Sequence, residues 1–265
     1  MNSIVCFLDE HDDDKSMLVG GFYIPRSNLK DLDSLVFNIK EEFGLEHQHT
    51  VKWNLRDHAC AEARKIIGDK NDRFRKALFQ KLSELEVGLI VSQVWKGDPS
   101  NTSESWKWAF ENVLQRLCIE INSSPSDEPN EYPMLDVVFD WLPSQRTRID
   151  EYFGVYDSAY YNGYHFAENE LPSLESSGAC PCLLITSCRF SPALQVADMI
   201  VGATGEFFKF VYEIEREQNV KNYFSLLYPL FRRDNSGEVL GRGLITKRTS
   251  RDKIKNSLKE LGLET

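Results

Sequence analysis

The 265-residue sequence predicts an α/β protein: a mixed five-stranded sheet flanked by helices, with a helical insertion after the second strand and a helical C-terminal extension. Three observations predict it. Five short apolar runs are dense in β-branched and aromatic residues. Several longer stretches place their apolar residues at helical spacing. Polar segments rich in Gly, Pro, Asn and Ser divide one from the next.

The chain opens with Ile4–Ile24, read as strand, turn and strand because Glu10–Ser16 is polar between two β-prone flanks. Alternation sets Val5, Phe7 and Asp9 on one face of the first strand, and Ile4, Cys6, Leu8 and Glu10 on the other. Burying an unpaired carboxylate costs roughly several kcal/mol, so Asp9 calls for a positive neighbour. The alternative is that Asp9 and Glu10 begin a solvated turn.

Ser27 can cap a helix with Leu29, Leu32, Leu35, Val36, Ile39 and Phe43 on its apolar face, ending at Gly44. Leu45–Leu55 is short and polar; on a strand its His47 and His49 would point the same way toward a metal, but no further ligand stands nearby. Asp57–Leu85 reads as helical with a break at Gly68–Asn71, and Val87–Trp95 as the third strand. Ser103–Ile121 is a helix capped by Ser103, with Trp106, Phe110, Val113, Leu114, Leu117 and Ile121 as its stripe. Asn122–Pro133 is a loop. Met134–Asp140 is the fourth strand and also ends in an acid, with Asp136, Val138 and Asp140 on one face.

Pro143–Tyr164 opens as a helix, Glu168–Ala179 is a polar loop, and Cys182–Ser187 is a short fifth strand. Ser191 and Pro192 then start a helix as cap and first-turn proline. Its apolar residues cover most of its circumference, which makes it a core helix, with Asp198 in its middle and Glu206 two turns on. An acid inside a buried helix needs a reason. Pairing with a residue such as Arg189 would be one.

The formal net charge of −10 argues against a surface that grips duplex nucleic acid all round. The charge is unevenly spread: from Arg232 to Lys259 nine Lys or Arg face three Asp or Glu, so that tail is +6. It either supplies a phosphate-binding surface or forms the solvated face of an amphipathic helix at Ser250–Leu261. The six cysteines sit mostly in apolar surroundings without a C-x-x-C pair, which predicts reduced, buried thiols rather than a soft-metal cluster at Cys180, Cys182 and Cys188. With no signal peptide and no run of membrane-spanning length, a cytoplasmic protein without membrane attachment is expected. No Walker glycine loop, G-x-S-x-G elbow or H-E-x-x-H helix is present.

Without Ser27–Leu85 the elements run β-β-β-α-β-α-β-α, the order of the ribonuclease H-like fold. This predicts a domain over 1–231, with the helical insertion at 27–86, and a basic extension over 232–265. In that fold the first and fourth strands are central neighbours and the last helix lies beside their ends, so Asp9, Asp140 and Asp198 can meet. Three close carboxylates repel unless cations lie among them. Magnesium or manganese, hard and oxygen-seeking, is the expected ion.

The strand end FLDE followed by LVGGFYI, the V-K-W at Val51–Trp53, the VVFD at Val137–Asp140 and the S-P-A-L-Q-V-A-D-M-I-V-G at Ser191–Gly202 carry a resemblance. On them the chain resembles the family described as domain of unknown function 3800, which is similar to ribonuclease H-like nucleases. The likeness spans roughly Ile4 to Gly205 and is most specific in the Leu-Gln-hydrophobic-Ala-Asp block. Such sequences commonly read Asp-Glu-Ser at the first strand, whereas here the third position is His11.

The resemblance implies metal-ion hydrolysis of phosphodiester bonds in DNA or RNA, and an effector role in defence against viruses or mobile elements. Asp9 would anchor the metals, Asp140 would hold one from the adjacent strand, and Asp198 would complete the set. Glu10 is a further candidate only if the strand ends before it. Lys52 would contact a phosphate or transition-state charge, or else is an exposed lysine beside a packed tryptophan. Two other readings stand: a non-catalytic module that binds a protein partner or a second copy, and a hydrolase of nucleotides or small phosphoesters.

Overall fold

The two faces of the first strand bury different side chains, and the rest of the chain packs against those faces. The computed structural model describes residues 3–96, 105–123, 134–140, 146–162, 164–166, 169–171, 173–212, 218–247 and 250–263. The expected cap Ser103, residues 124–133 of the expected loop and the expected helix start at Pro143 lie outside them. Strands β1 (Ile4–Asp12) and β2 (Ser16–Pro25) form an antiparallel hairpin with Asp9 opposite Gly20. β3 (Gly88–Trp95) continues antiparallel to β2, and β4 (Leu135–Asp140) lies parallel to β1 on its other side. A small separate hairpin, β5 (Tyr164–Phe166) and β6 (Asn169–Leu171), precedes β7 (Leu184–Thr186), which lies parallel to β4.

The main sheet has six strands, not five, in the order β7-β4-β1-β2-β3-β8. The sixth, β8 (Leu244–Thr246), comes from the stretch expected to be a helical extension. Three residues are too few to show alternation. The β-branched Ile245 and Thr246 matter only beside β3, where Val91, Ser92 and Gln93 pair with Leu244, Ile245 and Thr246.

The stretch after β2 supplies α1 (Leu29–Glu42), α2 (Ala61–Ile67) and α3 (Asn71–Leu82). Later come α4 (Ser105–Ser123), α5 (Arg146–Asn162), α6 (Pro192–Val211), α7 (Gln218–Leu227) and α8 (Arg251–Glu260). α6 lies on the face of Val5, Phe7, Leu18 and Phe22, with α1, α3, α7 and α8 gathered around it. α4 and α5 bury the opposite face, that of Cys6, Leu8, Val19 and Ile90. Among the described residues no helix is long and apolar enough to cross a membrane.

Between α1 and α2 the chain is a loop, pinned from within. The buried Lys40 ammonium donates to the His47 carbonyl at 3.1 Å and the His49 carbonyl at 2.8 Å. Burial pushes its pKa down to about 8, against the pull of Asp33 and Cys60. The two histidines take different partners: His49 Nδ1 accepts from the Glu46 N–H, and His47 Nε2 lies 3.7 Å from Asp33 Oδ1. The cysteines are free thiols, four of them buried, while Cys182 is exposed and its sulfur lies 3.6 Å from that of Cys180.

Candidate active site: three carboxylates and a lysine

Parallel pairing sets Leu8 beside Phe139, so the next residues, Asp9 and Asp140, lie side by side on adjacent strands. Both are 3% exposed and lie on the α6 side of the sheet. Asp198 faces them from α6 and is partly buried. Each carboxylate is held by a backbone N–H. Glu10 N donates to Asp9 Oδ1 at 2.7 Å, Cys188 N to Asp140 Oδ1 at 2.6 Å, and Trp53 N to Asp198 Oδ2. One oxygen of each carboxylate is thus fixed in direction by the backbone.

Lys52 supplies the positive charge. Its side chain is 17% exposed, and Nζ lies 3.9 Å from Asp140 Oδ2 and 3.7 Å from Asp57 Oδ2. Burial works against the ammonium, but Cys188, Asp198, Asp9 and Asp140 together raise its pKa above the usual lysine value. The reading of Lys52 as an exposed surface lysine is therefore not what the fold builds. Asp9 is raised well above the carboxylate range, by burial first and then by the charges of Asp198 and Asp140, while Lys52 and the Glu10 N–H act the other way. Asp198 is raised to about 6, mainly by burial and further by Asp140, against Trp53 N–H, Lys52 and His11.

Glu10 is not part of this group. β1 runs on to Asp12, so alternation sends Glu10 to the opposite face, where it accepts from the Tyr152 hydroxyl. Asp136 shares the Asp140 face but lies at the far end of β4 and pairs with Arg26. Glu206 pairs with Lys209 at 2.9 Å. His11 stays on the Asp9 face beside α6, where a Cβ added at Gly205 would meet its ring at 3.1 Å.

Two supporting features carried only a faint sequence signal. Gln195, one helical turn before Asp198, accepts from the Val51 N–H at 3.2 Å and donates to the Cys188 carbonyl at 2.9 Å. It joins the segment bearing Lys52 to the turn that holds Asp140. A glutamine on a helix otherwise apolar at that level was the available clue. Arg75 lies 3.8 Å over the Trp53 ring and donates to the Trp53 carbonyl, fixing the residue whose N–H holds Asp198. Nothing in the spacing of residues 53 and 75 announces that pair.

Gln195→Ala is expected to leave the buried Val51 N–H unpaired, while the Cys188 carbonyl keeps the Ser191 N–H, and to cost about 1–3 kcal/mol. Chemical denaturation of the variant measures this. Gln195→Glu, which keeps the acceptor but adds a fourth acid, should recover less than half of the loss.

The donor chemistry, three oxygen ligands of one sign in a buried site, is that of a hard divalent cation. Among the described residues, however, no group of three or more His, Cys, Asp or Glu side chains is arranged to hold a metal ion as it stands. The cation that faces the carboxylates is the Lys52 ammonium. No protein-family model matches the chain, and comparisons with curated proteins and with solved structures found no match.

Proposed function

We propose that the chain is a divalent-metal-dependent nuclease of ribonuclease H-like architecture, related to the family named above on its motifs. The observation that carries this reading is the meeting of Asp9, Asp140 and Asp198 from two adjacent strands and a core helix, with Asp9 and Asp198 raised in pKa. The sheet order supports it: a β3-β2-β1 antiparallel half joined to parallel β4 and β7.

Asp9, Asp140 and Asp198 are the residues that would hold magnesium or manganese. Such an ion supplies Lewis acidity and a bound water of lowered pKa. The rest falls to the chain's own groups. Backbone N–H groups orient the carboxylates, so little reorganisation is needed for them to act together. Lys52, flexible and charged, offsets their repulsion and can meet the non-bridging oxygen of a phosphodiester, where negative charge grows at the transition state. Phe7 and Val138, two residues before Asp9 and Asp140 on the same faces of their strands, and Ala197 beside Asp198 are all buried.

A second reading, a non-catalytic module that binds another protein, has one observation in its favour. Lys52 already neutralises part of the acidic group from within. Calorimetric titration of magnesium and manganese into wild type and Asp198→Asn, with cleavage of mixed DNA and RNA followed in parallel, separates the two. The nuclease reading expects binding and metal-dependent cleavage in wild type, and loss of both in the variant. Absence of specific binding in wild type would leave the interaction module.

A further inference from the structure

Beside β4 the outer chain holds two residues more than the strand it follows. Ala179 bridges Leu135 and Leu184 pairs with Val138, so five steps of the outer chain run alongside three of β4. Both ends of this span are fixed. The Cys180 N–H donates to the Leu135 carbonyl at 2.8 Å, and the Cys180 carbonyl accepts from the Tyr156 hydroxyl at 2.8 Å. Leu183, at the other end, is buried. Surplus residues between fixed points must bulge outward, and the chain bends at Pro181 and Cys182, both exposed.

The bend turns Cys182 back toward Cys180, and their sulfurs lie 3.6 Å apart. Cys182 is raised above the ordinary thiol range, first by the hydrogen bond between the two sulfurs. A covalent bond between them would be about 2.0 Å long, so side-chain rotation has to close only about 1.5 Å. The backbone permits it. Residues two apart have Cα atoms at most about 7 Å apart and nearer at a bend, while disulfides span about 4.4–6.8 Å. Pro181, whose ring fixes φ, limits how far the two cysteines swing apart. Cys6, Cys60, Cys118 and Cys188 are buried free thiols, so this pair is the one that a dissolved reagent reaches.

We propose that Cys180 and Cys182 are a reversible redox-modification site, a dithiol that closes to an internal disulfide by exchange with a small disulfide such as oxidised glutathione. The thiolate of the more exposed Cys182 attacks one glutathione sulfur. That S–S bond breaks, a mixed disulfide forms, and one glutathione leaves as its thiolate. The Cys180 thiolate then attacks the Cys182 sulfur and releases the second glutathione. The dithiol gives up two electrons and two protons, and the glutathione disulfide takes them to become two thiols. Neither cysteine belongs to the carboxylate group, so the proposal stands whether or not the chain hydrolyses phosphodiesters.

The test is incubation of the reduced full chain with oxidised glutathione at about pH 8, where a larger share of thiol is thiolate, with oxygen and metal ions excluded. Acid quenching and mass spectrometry of the intact chain and its peptides follow. Wild type should lose about 2 Da, mapped to the peptide that carries both residues, and dithiothreitol should restore it. Cys180→Ser should stop at the mixed disulfide on Cys182, with at least about tenfold more of that adduct than wild type. Cys182→Ser should form no internal disulfide. A glutathione adduct that persists in wild type, a disulfide joining two copies, a bond to one of the buried cysteines, or no reaction of wild type would each overturn the proposal.

Discussion

Asp9→Asn is expected to unfold at a higher temperature than the wild type at pH 7 while losing cleavage by at least about a thousandfold, equivalent to about 4 kcal/mol of activation free energy. The gain in stability comes from the same group as the loss. Asp9 is buried, and the charges of Asp198 and Asp140 act against its ionised form. An amide of the same shape keeps the Glu10 N–H bond through its oxygen and removes one of the repelling charges. A gain in stability is therefore expected at neutral pH without divalent cations. A variant less stable than wild type would show that Lys52 more than offsets the repulsion.

The pH dependence follows from the same residues. For Asp198, raised from 3.8 to about 6, the folded chain binds more protons than the unfolded chain across that window. Its contribution to stability is complete below pH 3.8 and is lost as pH rises through about 6. Asp9, also raised, acts in the same direction. Wild type should therefore lose stability from about pH 4 to beyond pH 6 in the absence of divalent cations, and Asp9→Asn should show a shallower fall. Denaturant midpoints taken across that range measure both slopes.

Gly202→Ala is expected to damage the site without touching an acid. A Cβ at Gly202 would lie 2.1 Å from Trp53 Cγ and 2.4 Å from Trp53 Cβ. These atoms lie at the root of the side chain, so no rotamer change clears the clash and the Trp53 backbone must move. Forcing even small groups into a packed core costs about 1–3 kcal/mol. The larger consequence is positional. Moving Trp53 withdraws the N–H that holds Asp198 and shifts Lys52, its chain neighbour. Cleavage should fall at least about tenfold in kcat with little change in KM, because transition-state alignment suffers before ground-state binding does. Gly68→Ala, where a Cβ would meet nothing within 4 Å, is the control and should be neutral in both assays.

How far such a site can be read from sequence depends on which residues betray themselves locally. Asp9 and Asp140 each end an apolar run, and Asp198 interrupts an apolar helix, so burial and charge conflict within a few residues of each. Glu10 was distinguishable by alternation alone, provided the strand continued past it. Lys52 sits in a polar loop where composition and spacing do not mark a lysine out, and only the resemblance at Val51–Trp53 points to it. Its place among the acids is set by Gln195 and Trp53, whose partners lie far along the chain. The sixth strand stayed hidden for the same reason, since three residues become a strand only beside β3.

The order in which the chain leaves the ribosome matters for this arrangement. β1 emerges before the other strands of the sheet yet lies in its interior, with β4, β7 and the helix bearing Asp198 still to be synthesised. Domains fold as units during synthesis, and contacts between distant residues form slowly. The four groups of the site cannot meet until translation has passed Asp198, and the sheet gains its last strand only after Thr246. A chain that acted on nucleic acid would thus stay inert toward the message and ribosome producing it until the helix bearing Asp198 has emerged.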